Sequence, residues 1–255
     1  MNTSQKHFST TAEKHDPKAF LPEQYPRLHF SDEAWQWFLT ATRDIELAVD
    51  DEKKDILEQL YSHLVGVNQW LNLTRLTTDF DYLKFHIFDS LTVLSLVEQM
   101  TTPEDVILDL GSGGGYPGLP LMLWLPDRHF VLVDSRHKKV DFLNETLKLT
   151  PCTHVKAYAF RGREVMATHP ELRHKCSIVT ARAVGRGADL LADASELLAL
   201  GGVFMLLKGP NYISEESAKF EKACKEFGFD LIEELPIALD NDDPDRYIIL
   251  AVRKK

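Results

Sequence analysis

The chain is poor in the features that staple, anchor or metallate a protein. Its three cysteines, Cys152, Cys176 and Cys224, are odd in number, far apart and without a CxxC pair. Neither a disulfide framework nor a cysteine-built zinc site is expected. The ten histidines show no HExxH spacing, so no metal centre is expected. No run approaches the roughly 20 uncharged apolar residues that a membrane helix requires. The first thirty residues lack the continuous apolar core of a secretory signal, so export is not indicated and a cytoplasmic protein is expected. Positive charge is scarce too: 29 Lys and Arg stand against 39 Asp and Glu, a formal net charge of −10. That balance argues against a protein that wraps nucleic acid over its whole surface, because phosphate neutralisation by basic side chains supplies most nonspecific affinity.

What remains has the balance of a soluble globular protein, 44% hydrophobic and 27% charged. The length suits one α/β domain with a modest extension, and a monomer is expected. Residues 1–30 are polar, contain Pro17, Pro22 and Pro26 and lack periodicity, which predicts a mobile or loosely packed arm. Residues 31–102 read as helical. Ser31, followed by Asp32 and Glu33, has the character of an N-cap, and Trp37, Phe38, Ala41 and Ile45 recur at helical spacing. A second helix carries Ile56, Leu57, Leu60, Leu64 and Val67, and a third spans Asp81 to Met100.

From residue 103 to 255 the pattern changes to short β-branched runs between amphipathic segments. Strands are expected at 106–110, 130–134, 155–159, 177–181, 203–207, 231–237 and 247–252, and helices near 118–125, 138–149, 162–168, 187–199 and 214–227. Such alternation predicts an α/β fold with right-handed crossovers and a mainly parallel sheet. The last two strands, joined by DNDDPD at 240–245, suit an antiparallel hairpin. A seven-stranded, Rossmann-like sheet ending that way is the class I S-adenosylmethionine-dependent methyltransferase variant of the doubly wound fold.

Residues 106–118 read VILDLGSGGGYPG, an apolar strand running into a glycine loop. Glycines there let the backbone turn tightly and approach a ligand where any Cβ would collide. The run Gly113 to Gly118 also satisfies the GxGxxG pattern of dinucleotide enzymes, so the loop alone admits two cofactors. That match leaves Asp109 and Gly111 unexplained, whereas an acid two positions before the first glycine suits S-adenosylmethionine. The next strand ends at Asp134, placed to accept hydrogen bonds from ribose hydroxyls. Its plain structural alternative is an N-cap for the helix that follows.

With these residues placed, the chain resembles the ribosomal RNA small subunit methyltransferase G family, also called glucose-inhibited division protein B. The resemblance covers about residues 55–252. It rests on Asn68 with Asn72-Leu73-Thr74, on His86-Ile-Phe-Asp89-Ser90-Leu91, and on Asp109 to Pro120. Asp134-Ser-Arg-His-Lys-Lys139, Thr180-Ala-Arg182-Ala183 and Lys208-Gly209 complete it. The family's activity implies transfer of a methyl group from S-adenosyl-L-methionine to guanine N7 in bacterial 16S rRNA of the small ribosomal subunit.

The cofactor candidates are Asp109, Gly113, Gly115 and Asp134 from the loop and strand pattern, and Gly111, Tyr116, Arg163, Glu164 and Arg182 as carried over by position from the family, with Arg182 also the catalytic candidate. Tyr116 stands where the family usually has Phe or Leu. Where the family reads Arg, a small or apolar residue, then Glu, this chain reads Arg161-Gly-Arg163-Glu164. The substrate-side candidates are Asn72, His86, Asp89, Lys138, Lys139 and Lys208. Each has a structural alternative: a helix pair for His86 and Asp89 at i, i+3, loop and cap roles for the asparagines, a surface ion pair for Arg182. A confined basic face of Lys138, Lys139, Arg163, Arg182, Arg186 and Lys208 is expected to let an acidic protein grip RNA. A small-molecule methyltransferase, an NAD-dependent oxidoreductase and a nucleotide-sensing module remain as alternatives.

Overall fold

The computed structural model describes residues 17–240 and 245–254. Residues 1–16 of the expected arm, 241–244 of the expected hairpin joint and Lys255 of the basic tail lie outside the described residues.

The strands are β1 (Val106–Leu110), β2 (His129–Asp134), β3 (Val155–Ala159), β4 (Cys176–Arg182), β5 (Leu198–Lys208), β6 (Phe229–Ile237) and β7 (Arg246–Arg253). Among the described residues they make one sheet in the order β3-β2-β1-β4-β5-β7-β6. Pairs from β3 across to β5 are parallel, and β7 runs antiparallel to both β5 and β6. The chain leaves β1 toward one edge and returns through β4 toward the other. A crevice therefore opens at the carboxyl ends of β1 and β4, where ligands of open α/β sheets bind.

The helices are α1 (Asp32–Asp44), α2 (Asp51–Leu71), α3 (Asp79–Asp81), α4 (Asp89–Leu91), α5 (Leu94–Met100), α6 (Gly118–Trp124), α7 (His137–Leu147), α8 (Val165–Thr168), α9 (Gly187–Leu197), α10 (Tyr212–Glu215) and α11 (Ser217–Phe227). Because successive strand side chains point to opposite faces, Ile107, Leu132, Ile178 and Ile248 join one core with α1, α2, α6 and α7. Leu108, Val133, Val179 and Ile249 join a second core with α9 and α11. Burial on both faces explains why the strands read as nearly continuous apolar runs. Among the described residues, no helix is long and apolar enough to cross a membrane.

Two expectations need correction. The segment before Ser31 is not loosely packed where it is described: Phe20 and Phe30 are buried, and Tyr25 donates to the Ala19 carbonyl while accepting from Trp70. Aromatic side chains placed between polar residues supply the burial that mean polarity hid. The third helix is not continuous either. Its centre, Tyr82–Phe88, is a π-helix, in which the Asp89 amide bonds back to the Lys84 carbonyl, and the run breaks before α5 at Val93. A wide turn of this kind re-aims side chains and is frequent at functional sites.

Candidate active site

A cleft of about 560 Å³ opens over the ends of β1 and β4. One wall is the glycine loop. Gly111 and Ser112 both donate their amides to the Val133 carbonyl, at 2.7 and 2.9 Å, which ties the loop to the end of β2. Gly111 has φ +76 and Gly113 φ +58, left-handed conformations that favour glycine. A Cβ on Gly111 would also sit 2.4 Å from the Val184 side chain. Asp134 stands at the same wall: Oδ2 accepts from the Gly113 amide at 3.1 Å and Oδ1 from the Arg136 amide at 2.9 Å. Each carboxylate oxygen has a second lone pair.

Asp109 lies beneath this wall rather than on it. It is 1% exposed, accepting from the Gly118 amide and the Thr180 hydroxyl, each at 3.1 Å. Burial pushes its carboxyl up to about 6, against the opposing pull of those donors. Asp109 thus organises the loop and does not line the cleft.

The opposite wall comes from the helical layer and the far strands. Arg182, at the end of β4, donates to the Phe85 carbonyl, to Asp89 Oδ2 at 2.9 Å and to His86 Nδ1 at 3.3 Å. Its guanidinium carbon lies 5.2 Å from the centre of the Tyr116 ring. His86 stacks on Tyr116, with ring centres 4.6 Å apart and an interplanar angle of 11°. Because His86 Nδ1 accepts from Arg182, the network assigns its proton to Nε2, which faces Thr74 Oγ1 at 3.0 Å and the Leu76 carbonyl at 3.3 Å. Burial, reinforced by the Arg182 charge, drives the imidazole down to about 3, so it is neutral at physiological pH. Arg246, opening β7, gives Asp89 a second guanidinium partner at 3.1 Å. His86 and Asp89 are therefore not a helix pair; the π-turn delivers both to Arg182.

A smaller recess of about 260 Å³ adjoins the cleft and shares Gly111, Asp134, Ser135 and Val184 with it. Its floor includes Phe160, and its far side holds Asp193, which accepts from Arg163 Nε at 2.9 Å. A glycine-lined cleft continuous with a part-aromatic recess has room for a nucleoside bearing a charged tail, within the usual size range of ligand sites.

A sequence model of the family described as rRNA small subunit methyltransferase G matches residues 53–233. The chain belongs to that family. It is 30% identical to the ribosomal RNA small subunit methyltransferase G of Leuconostoc mesenteroides over 217 residues, 85% of this chain and 90% of that one. The counterpart from Gloeobacter violaceus is 32% identical over 185 residues, 71% of this chain and 72% of its own. Among solved structures, PH0793 of Pyrococcus horikoshii superposes with a TM-score of 0.51 at 16% identity, over 66% of this chain and 64% of that one, a likeness of fold alone.

Within this member of the methyltransferase G family, several residues fall away from the cleft. A Cβ on Gly115 would sit 2.1 Å from the Leu119 side chain rather than face the cleft, and Gly114 lines the cleft instead. Asn72 is the left-handed C-cap of α2 at φ 52. Its neighbour Asn68 shapes the cleft edge, accepting from the Leu73 and Thr74 amides at 2.7 and 2.9 Å. Glu164 accepts from the Arg161 amide and caps a short turn, so only Arg163 of that pair reaches the recess. Lys138 is exposed outside the cleft, while Lys139 lines it 3.8 Å from Asp134. Lys208 is buried against Glu216 at 2.8 Å and does not line the cleft.

The expected basic face is thereby redrawn. Lys208 is turned onto Glu216 away from the cleft and Arg163 pairs with Asp193 at the recess, while Arg75, Arg136 and Lys139 join Arg182 and Arg246, which share Asp89, at the cleft. Sequence reasoning missed Arg75, Arg246 and Asp193. Asp193 left a signal, a carboxylate beside Leu190, Leu191 and Ala194 in an apolar helix; Arg246 left none, since its neighbours are set by the hairpin.

Proposed function

We propose that this chain transfers the methyl group of S-adenosylmethionine to guanine N7 in 16S rRNA, acting in the cytoplasm on the small ribosomal subunit. The observation that carries the choice of nucleophile is that, among the described residues, the cleft holds no free imidazole or carboxylate poised to take a proton. Its imidazole is neutral but spent, with Nδ1 on Arg182 and Nε2 on Thr74 and Leu76. Asp89 is shared by two arginines, and Asp134, held by two backbone amides, keeps its remaining lone pairs for the ribose hydroxyls. Guanine N7 offers a lone pair and carries no proton, so no base is required.

When bound, S-adenosylmethionine supplies an electrophilic methyl on a cationic sulfur. The backbone of Gly111 and Gly113 suits its approach, the spare lone pairs of Asp134 suit ribose hydroxyls, and the recess beside Phe160 suits the adenine. Arg182, fixed on four sides by Phe85, Asp89, His86 and Tyr116, suits a positioning role at the transfer point. Holding the nucleophile and the methyl carbon at near-attack distance is worth several kcal/mol in such a displacement. The arginines at the cleft edge suit rRNA phosphate.

The test incubates the purified chain with methyl-labelled S-adenosylmethionine and small subunits from a strain lacking this methylation. One N7-methylguanosine in 16S rRNA is the expected product. Label in another RNA, at another guanine atom or in no RNA at all refutes the reading.

A further inference from the structure

The stretch after β4, Ala183 to Gly187, opens beside both cavities: Ala183 lines the cleft, and Val184 lines the cleft and the recess. Ala183 has φ 55 and Gly185 φ 59. A non-glycine residue in that region persists only where its surroundings hold it. Val184, between them, packs on Gly111 and lines both cavities.

The turn is held from behind. Lys208, the last residue of β5, donates from Nζ to the Gly185 carbonyl at 2.8 Å and to Glu216 Oε2 at 2.8 Å. The same Glu216 oxygen accepts from the Gly187 amide at 2.9 Å. Lys208 is 9% exposed. Burying an ammonium is unfavourable unless it is paired and hydrogen-bonded. Here its partners are one carboxylate and the carbonyl of a left-handed turn, so the charge serves to hold that turn.

We propose that Lys208 is a positioning residue for cofactor binding: with Glu216 it latches the Ala183–Gly187 turn and keeps Val184 seated on Gly111. This rests on the S-adenosylmethionine reading above. Arg182 has its own ties to Phe85 and Asp89 and does not depend on the latch. Loss of the latch therefore weakens cofactor affinity and spares the transfer step.

The experiment measures S-adenosylmethionine binding by calorimetry, and KM and kcat with small subunits, for the wild type, Lys208→Met and Lys208→Arg. Lys208→Met is expected to raise Kd and KM for the cofactor about tenfold, as loss of a charge-assisted hydrogen bond does, and to leave kcat within about threefold. Lys208→Arg, which keeps the charge and a donor, is expected to recover most of the affinity. A wild type that binds no S-adenosylmethionine sinks the cofactor reading itself. Given wild-type binding, a folded Lys208→Met variant with unchanged Kd overturns the latch, and so does one in which kcat alone falls. If Lys208→Met does not fold, Glu216→Gln decides: a rise in Kd of about threefold supports the latch, and an unchanged Kd overturns it.

Discussion

The two walls of the cleft are built on opposite plans. The loop wall is a contiguous run, residues 106–118, closed by Asp134, and its bonds run largely to backbone amides. The helical wall is assembled from the turn after α2, the π-helix, β4 and β7, and is bound by side-chain charge converging on Asp89. A backbone-built wall tolerates changes of charge and fails when a Cβ is added. A charge-built wall tolerates added volume at its edge and fails when a partner is removed.

The sharpest way to break the loop wall alone is Gly111→Ala. The new Cβ meets Val184 at 2.4 Å in a left-handed backbone. Affinity for S-adenosylmethionine should fall about 100-fold, read by calorimetry, since strain of this kind costs on the order of 1–3 kcal/mol before the collision is counted. Next in size, Arg182→Ala breaks the helical wall. Methyl transfer to small subunits should drop up to about 100-fold, as misplacement at a reacting centre does, with circular dichroism unchanged because Asp89 keeps Arg246. Full activity of that folded variant would remove Arg182 from the site.

Arg246→Ala probes the edge of the same wall. It leaves the Arg182–Asp89 pair intact, so the cofactor Kd should hold while subunit binding weakens by a few fold and its salt slope falls by about one. The mildest test is acidification, where the walls respond with opposite signs. His86 titrates near 3 when folded and near 6.5 when unfolded, so below about 6.5 the unfolded chain binds the extra proton and stability falls with pH. Asp109 titrates near 6 folded and 3.8 unfolded, so between those values the folded chain binds the proton and stability rises as pH falls. In denaturant titrations from pH 7 to 4, His86→Asn should flatten the acid loss and Asp109→Asn should steepen it. Parallel curves for all three proteins would show that neither group titrates as its surroundings imply.

The same contrast explains what could be read in advance. The loop wall is local in sequence, so strand, acid and glycines announced it together, and the seven strands could be placed from apolar runs. Asp109 was legible as essential to the loop but not as lying under it, because the depth of a carboxylate is set by Thr180 and Gly118. The helical wall is nonlocal. Arg182 meets His86 across 96 residues and Arg246 meets Asp89 across 157. No helical periodicity distinguishes a π-turn from an α-turn, so an i, i+3 spacing suggested a pair that the wider turn undoes. Lys208 was singled out for its charge, and what it does with that charge depends on a carboxylate in the next helix.

The antiparallel hairpin carries a consequence for the order of assembly. In space β7 lies between β5 and β6, although it follows both in the chain. During synthesis β6 therefore emerges before the strand that attaches it to the sheet, with Ile232 on a ribbon that has no partner yet. β6 can join the sheet only through β7, and Arg246 arrives with β7. A nascent or nicked chain lacking the hairpin would still own its glycine loop, yet its far wall would be one guanidinium short. Ability to hold the methyl donor would then precede ability to use it.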